Sequence, residues 1–223
     1  MDGFSAADLA AISPICPEYV TPAGFLRHLY RQDEKIILFT TFQSQGQNVA
    51  EWSDEEDESG AFDGFIRPKE GKGAWFLANP ADGNYREIER LKTSTNSKGI
   101  SRRCEECITS FRYLVMESDE VEPDIWIAAM VQIPLPIVSV TSSGGKSLHA
   151  LVRVDADSAD HWRGIKAKIA PALVTWGADN SAMTAVRLTR LPQCFRAEKD
   201  RWQELLYLNP AADETPIAQL PKR

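Results

Sequence analysis

The stretch FRYLVMESDEVEPDIWIAAMVQIPLPIVSVTSSGGKSLHALVRV, residues 111–154, changes its hydrophobic period twice. FRYLVMESD (111–119) reads as a strand whose apolar run ends at Glu117, and EPDIWIAAMVQ (122–132) places Pro123 where a short helix begins. IVSVT (137–141) and SLHALVRV (147–154) read as two further strands joined by the turn SSGGK. Beyond them, SADHWRGIKAKIAPALVTW (158–176) repeats apolar positions at Trp162, Ile165, Ile169, Leu173 and Trp176, a helical stripe with Ser158 as N-cap. ELLYLN (204–209) closes the series as a strand. The order β-α-β-β-α-β predicts an α+β unit: an open antiparallel sheet with two helices on one face and its other face free for ligands. Its first and third strands are expected as central neighbours.

Upstream, TPAGFLRHLYRQ (21–32) predicts a helix, KIILFTTF (35–42) a strand and GAWFLANPADG (73–83) a brief strand ended by turn signals. Residues 43–73 read as a long polar loop, and the tail from Pro210 as a linker or terminus. At 223 residues the chain has room for one large domain or two small ones. No window approaches ~20 uninterrupted apolar residues, and the N-terminus lacks the pattern of a secretory signal. A cytoplasmic protein without membrane contact is expected. Cys104 and Cys107 form one CxxC, but His28, His149 and His161 stand apart, so no zinc site is expected and two reduced thiols are.

Net charge is −7, which argues against a polyanion partner until its distribution is read. EWSDEEDE (51–58) holds six acids and no base, so the remainder is nearly neutral. Residues 86–103 and 187–201 are locally basic, leaving room for a polyanion on one face.

Three groups of residues can carry chemistry. Glu117 and Asp119, two apart at a strand end, share a face; they are either a strand running out into a polar loop or paired ligands for a hard divalent cation. In SGGKSLH the glycines admit close backbone approach, Lys146 adds charge, and Ser147 and His149 face one side. That is an anion grip, or a glycine hairpin with incidental polar residues and a structural histidine. It is no P-loop, because Val140 stands where a glycine is required. The third group, WGADNSAMTAVRLTRLPQCFR, sets Asp179 ahead of Arg187, Arg190 and Arg196, which are either phosphate-recognising guanidiniums or solvated loop residues.

The ExD of YLVMESD, the SxH of SGGKSLH, and Asp179 followed by RLTRLPQCFR resemble the three motifs of archaeo-eukaryotic primases, and above all the prim-pol domains of bacterial, phage and plasmid proteins. The resemblance spans residues 73–210, with Glu117 where many relatives have aspartate. It implies an RRM-like catalytic module at 106–210, an N-terminal α/β module packed on it at 1–105, and a linker or C-terminal tail at 211–223. It implies template-directed nucleotidyl transfer. Glu117, Asp119 and Asp179 would hold two ions of Mg2+ or Mn2+; Lys146, Ser147 and His149 would bind the incoming triphosphate; Arg190, with Arg187 or Arg196, would neutralise the remaining phosphate charge. The partners implied are a single-stranded DNA template, a primer strand and nucleoside triphosphates, with a helicase or accessory priming domain in the same chain or another. Residues 86–103 are a candidate strand track, and Trp75 and Phe76 candidates for stacking a base. Two alternatives stay open: an inactive RRM-like nucleic-acid-binding module, and a two-metal nuclease or phosphohydrolase.

Overall fold

The structure is a computed structural model that describes residues 4–39, 50–52 and 73–221. The 111–154 stretch forms β6 (Phe111–Ser118), α3 (Pro123–Met130), β7 (Ile137–Ser142) and β8 (Leu148–Ala156), close to the bounds its periodicity predicts. Helix α4 (Ala159–Thr175) follows, with the Ser158 hydroxyl accepting from the His161 amide at 3.1 Å. β12 (Leu205–Leu208) joins this second sheet, giving the antiparallel order β12-β7-β8-β6. The first and third strands of the series, β6 and β8, are neighbours as expected. β6, however, lies at the edge of the described sheet and β7 takes the central place, because the β7–β8 hairpin pairs locally and β12 adds on the far side of β7.

One face of this sheet carries Leu114, Met116, Ala150 and Val152, packed under Trp126, Ile127 and Met130 of α3 and Trp162 and Leu173 of α4. Trp162 also donates its indole N–H to the Tyr113 carbonyl at 3.0 Å, so its bulk and its polar atom are both satisfied. The last residue of the predicted stripe, Trp176, caps the helix and is half exposed.

The opposite face is not open along its length. A first sheet, β2-β1-β3-β9, lies over it, built from β1 (Ile36–Phe39), β2 (Ala50–Trp52), β3 (Trp75–Leu77) and β9 (Leu188–Arg190). β2 falls inside the stretch expected to be loop; the rest of 43–72 lies outside the described residues. Phe25 and Leu26 of α2 (Pro22–Leu29) join Leu38 and Phe76 of the first sheet and Tyr113, Val115 and Leu151 of the second in one core. Edge-to-face ring pairs knit it: Phe25–Phe76 at 5.7 Å and Tyr30–Tyr113 at 5.7 Å. Such pairs contribute about 0.5–1.5 kcal/mol each beyond area burial. Ligand access is therefore confined to one end of the second sheet.

The boundary expected at 105/106 is crossed in both directions. Strand β9, from the C-terminal part, completes the first sheet, while α1 (Ala6–Ile12) sends Leu9 and Ile12 into the helical layer of the second. The expected tail is docked rather than free: Ile217 is buried in that layer and the Ala218 amide donates to the Val131 carbonyl at 2.8 Å. Short strands β4 (Arg86–Glu87) and β5 (Ile100–Ser101) belong to a flap whose Cys104 and Cys107 cover the outer face of the first sheet. The two thiols lie 3.0 Å apart and are free.

Candidate functional site

At the accessible end, one row of side chains crosses the second sheet: Glu117 on β6 is paired with His149 on β8, and His149 with Thr141 on β7. Cross-strand partners share a face, so carboxylate, imidazole and hydroxyl point the same way. Leu148 and Ala150 point into the helical core, which leaves His149 facing the first sheet.

β6 stops at Ser118, so Asp119 is not the next inward side chain of the strand but stands exposed on the following turn. Asp179 reaches the same place from the far end of α4. Gly177, at φ +104°, turns the chain back sharply, and a Cβ there would lie 2.5 Å from Val121 Cγ2. The Asp179 amide then donates to the Glu117 carbonyl at 2.8 Å. Asp119 and Asp179 line one pocket of about 390 Å³ with Ser118, Gly177 and Ala178. The Ser181 hydroxyl and amide, at 2.8 and 2.7 Å, bind the Asp179 carboxylate and hold it below its usual range.

Glu117 differs from both. It is 1% exposed, and burial pushes its carboxyl up; Arg187 opposes that rise, while Asp119 and Asp179 add to it. Arg187 donates to it from Nε, 3.3 Å from Oε2, and from Nη2 to Oε1. His149 Nδ1 is 3.1 Å from the same Oε2 and 3.2 Å from Thr189 Oγ1, and Ser147 Oγ is 3.4 Å from His149 Nε2. Burial, then Arg190, Arg187 and Arg196, pull His149 down to about 3, so the ring is neutral at pH 7.

Arg190 and Arg196 also lie beside this group. Arg190, 8% exposed, stacks 3.8 Å above the Trp75 ring centroid and donates to Gln203 Oε1 at 3.2 Å. Burial and the neighbouring Arg196 bring Arg190 down to about 9. Arg196 donates to the Ser143 carbonyl at 3.0 Å, which sets its guanidinium against the Gly144–Gly145 turn that carries Lys146. Arg103 completes the set, donating from Nε to the Val186 carbonyl at 3.0 Å; burial and Arg187 lower it to about 10.

The structure thus gathers eight of the nine candidates at one end of the sheet, with Lys146 exposed on the turn beside them. Trp75 and Phe76 are both buried, Trp75 as the platform for Arg190, and neither is available to a base. In the 86–103 window Arg86, Arg90 and Lys92 are paired with Asp82, Glu106 and Glu89, so three of the six bases of the track expected there are neutralised. Sequence reasoning missed Thr189, Gln203 and Asn79. Thr189 lies between two singled-out arginines, and that position is its one signal. Asn79 was read only as part of a turn, yet it bonds the Tyr113 backbone at 2.8 and 3.0 Å and the Ala185 carbonyl at 2.9 Å.

The donor set suits a hard cation in kind, with Asp119 and Asp179 close enough to raise the Glu117 carboxyl. Among the described residues, however, no group of three or more His, Cys, Asp or Glu side chains is arranged to hold a metal ion, and Arg187 engages Glu117. Cys104 and Cys107 have no further ligand with them in such a group. No described helix is long and apolar enough to cross a membrane.

The sequence matches no protein-family model and no curated protein. Among solved structures, the AEP domain of the cyanophage S-2L primase-polymerase is similar, with a TM-score of 0.53 at 17% identity over 88% of this chain and 94% of that one. So is the catalytic domain of the primase Repb', solved in complex with initiator DNA, with a TM-score of 0.52 at 16% identity over 88% of each chain. The chain shares the α+β fold of these two domains.

Proposed function

We propose that this chain is the catalytic domain of a primase-polymerase, which joins nucleotides from nucleoside triphosphates along a single-stranded DNA template. One observation carries the reading: Glu117 is the meeting point of an acidic group, Asp119 and Asp179, and a cationic group, Arg187, Arg190 and Arg196 around His149. A polymerase needs both sets side by side, one for cations and one for phosphates.

In this reading Asp119 and Asp179 hold two divalent cations, Mg2+ or Mn2+, and Glu117 joins them when Arg187 releases it. Bound there, the metals would stabilise the attacking 3′-oxygen and the leaving pyrophosphate. Lys146, Ser147 and Arg196 take the triphosphate, and Arg187 turns to it as it leaves Glu117. Arg196 helps lower the buried Arg190, and a guanidinium crowded in this way gains from an arriving polyanion, which supports the assignment. His149 stays neutral and keeps Ser147 and Glu117 in place.

The test is incubation with a single-stranded template, all nucleotides and Mn2+, with and without a primer. The wild type should extend or start strands, while Asp119→Asn and Asp179→Asn should lose at least about a hundredfold in rate with the fold intact. Extension by either variant at the wild-type rate overturns the metal assignment. The Arg187–Glu117 pair favours a second reading, an inactive nucleic-acid-binding module. Nucleotide binding that is equally strong in EDTA and in Mn2+, with no incorporation, would select it.

A further inference from the structure

Strands β10 (Cys194–Arg196) and β11 (Arg201–Gln203) form a hairpin whose two faces differ in chemistry. The inner face sends Arg196 to the glycine turn and Gln203 to Arg190. On the outer face Phe195 and Trp202 are directly paired across the strands, ring centroids 5.3 Å apart at 60°. Trp202 is 55% exposed although tryptophan is among the most costly side chains to leave in water. The hairpin is anchored: a Cβ at Gly144, at φ +65°, would lie 3.0 Å from the Trp202 carbonyl oxygen, so turn and hairpin backbones are in contact. The exposed cations Lys146, Lys199 and Arg201 lie on that turn and that hairpin. Three acids share the hairpin: Glu198, which is bonded to Arg196, and the exposed Asp200 and Glu204.

We infer that this hairpin is a binding site for single-stranded nucleic acid, with a base stacked on Trp202 and the strand's backbone passing the exposed Lys199 and Arg201 at the hairpin's edge. Arg201 pairs with Arg196 and so leans to the other face, which leaves the exposed Lys199 and Arg201 bordering the aromatic pair at the hairpin end. An exposed aromatic platform bordered by cations is a combination that holds unpaired strands without reading their sequence. It is continuous with the candidate site through Arg196 and the glycine turn. Asp200 and Glu204 limit the electrostatic share, which makes stacking the main contribution. The inference rests on the polymer-handling reading of the neighbouring site and specifies where the strand is held.

The experiment measures binding of a fluorescein-labelled oligothymidylate of about twelve nucleotides to the full chain by anisotropy across a salt series. Trp202→Ala should weaken binding about tenfold, and Trp202→Phe should stay within about threefold of wild type. Arg201→Gln should flatten the slope of log affinity against log salt by about 0.7. Unchanged affinity in Trp202→Ala overturns the inference, as does a wild-type dimer that this variant dissociates, which would make the patch a contact between copies. Failure of the polymerase reading is a separate outcome. Wild type that binds the oligonucleotide through Trp202 but incorporates nothing keeps the strand site, and wild type that incorporates while Trp202→Ala binds normally removes it.

Discussion

Arg187 clasps Glu117 across 70 residues of chain, each with its side chain largely withdrawn from solvent. This contact joins the turn after α4 to the end of β6, and it holds the acidic and basic halves of the site at one point. Removing one partner of a buried pair leaves an uncompensated charge. Arg187→Ala should therefore destabilise the fold by about 3–5 kcal/mol in urea unfolding, and adding Glu117→Gln should recover much of that loss. A single variant as stable as wild type would mean the pair is not what holds this end together.

Asp119 and Asp179 sit at the pocket and contribute little to the core. With Mn2+ at about a hundredfold excess over its dissociation constant, the wild-type melting temperature should rise by roughly 5 °C or more. Asp119→Asn and Asp179→Asn should each abolish the rise without lowering the melting temperature in EDTA. A full rise in both variants places the metal elsewhere.

Thr189 contacts His149 Nδ1 from the facing sheet and so orients the ring. Thr189→Val keeps the volume but loses the hydroxyl, and a single such bond contributes about 0.5–1.5 kcal/mol. The KM for nucleotide should rise several-fold with kcat little changed, and Thr189→Ser should restore it. Loss of stability with an unaltered KM would mark Thr189 as packing alone.

His149 also makes folding pH-dependent. Its value in the folded chain is about 3 against an ordinary 6.5, because burial disfavours the charged ring. Above pH 6.5 both states are neutral there. As pH falls from 6.5 toward 3, the unfolded chain binds a proton that the folded chain refuses, so stability declines through that window. His149→Asn should remove about one proton from the slope of unfolding free energy against pH near pH 5. An unchanged slope there would show that the ring titrates normally.

Asn79 satisfies three buried backbone groups with one amide. Asn79→Ala should cost about 3 kcal/mol or more in chemical denaturation. It should also impair incorporation, because Ala185 anchors the strand that begins at Leu188 and the Arg187 beside it. Stability within 1 kcal/mol of wild type would mean that water replaces the amide.

Much of the fold is legible in residues 111–154 because period 2 and period 3.6 separate cleanly there, and Pro22, Pro123 and Ser158 sit at helix starts where their chemistry suits the end of a helix. Helix α1 went unread, although in the structure Ser5 and Asp8 form a capping box at its start. β2 could not be read, since three residues, AEW, carry no usable period. The edge position of β6 could not be read either, because strand order depends on which neighbour completes the sheet.

The amino-acid order alone determined which chemistry the molecule carries: acids at 117, 119 and 179, a glycine-rich turn before Lys146, Ser147 and His149, and arginines at 187, 190 and 196. Local pattern sufficed, because residue type and alternation are properties of neighbouring positions. Only the tertiary structure decided that Glu117 is buried and held by Arg187, that Trp75 supports Arg190 instead of meeting a base, and that Trp202 is left in water. Burial and charge pairing are set by segments far apart in the chain that share one space, and nothing in either segment alone encodes its distant partner.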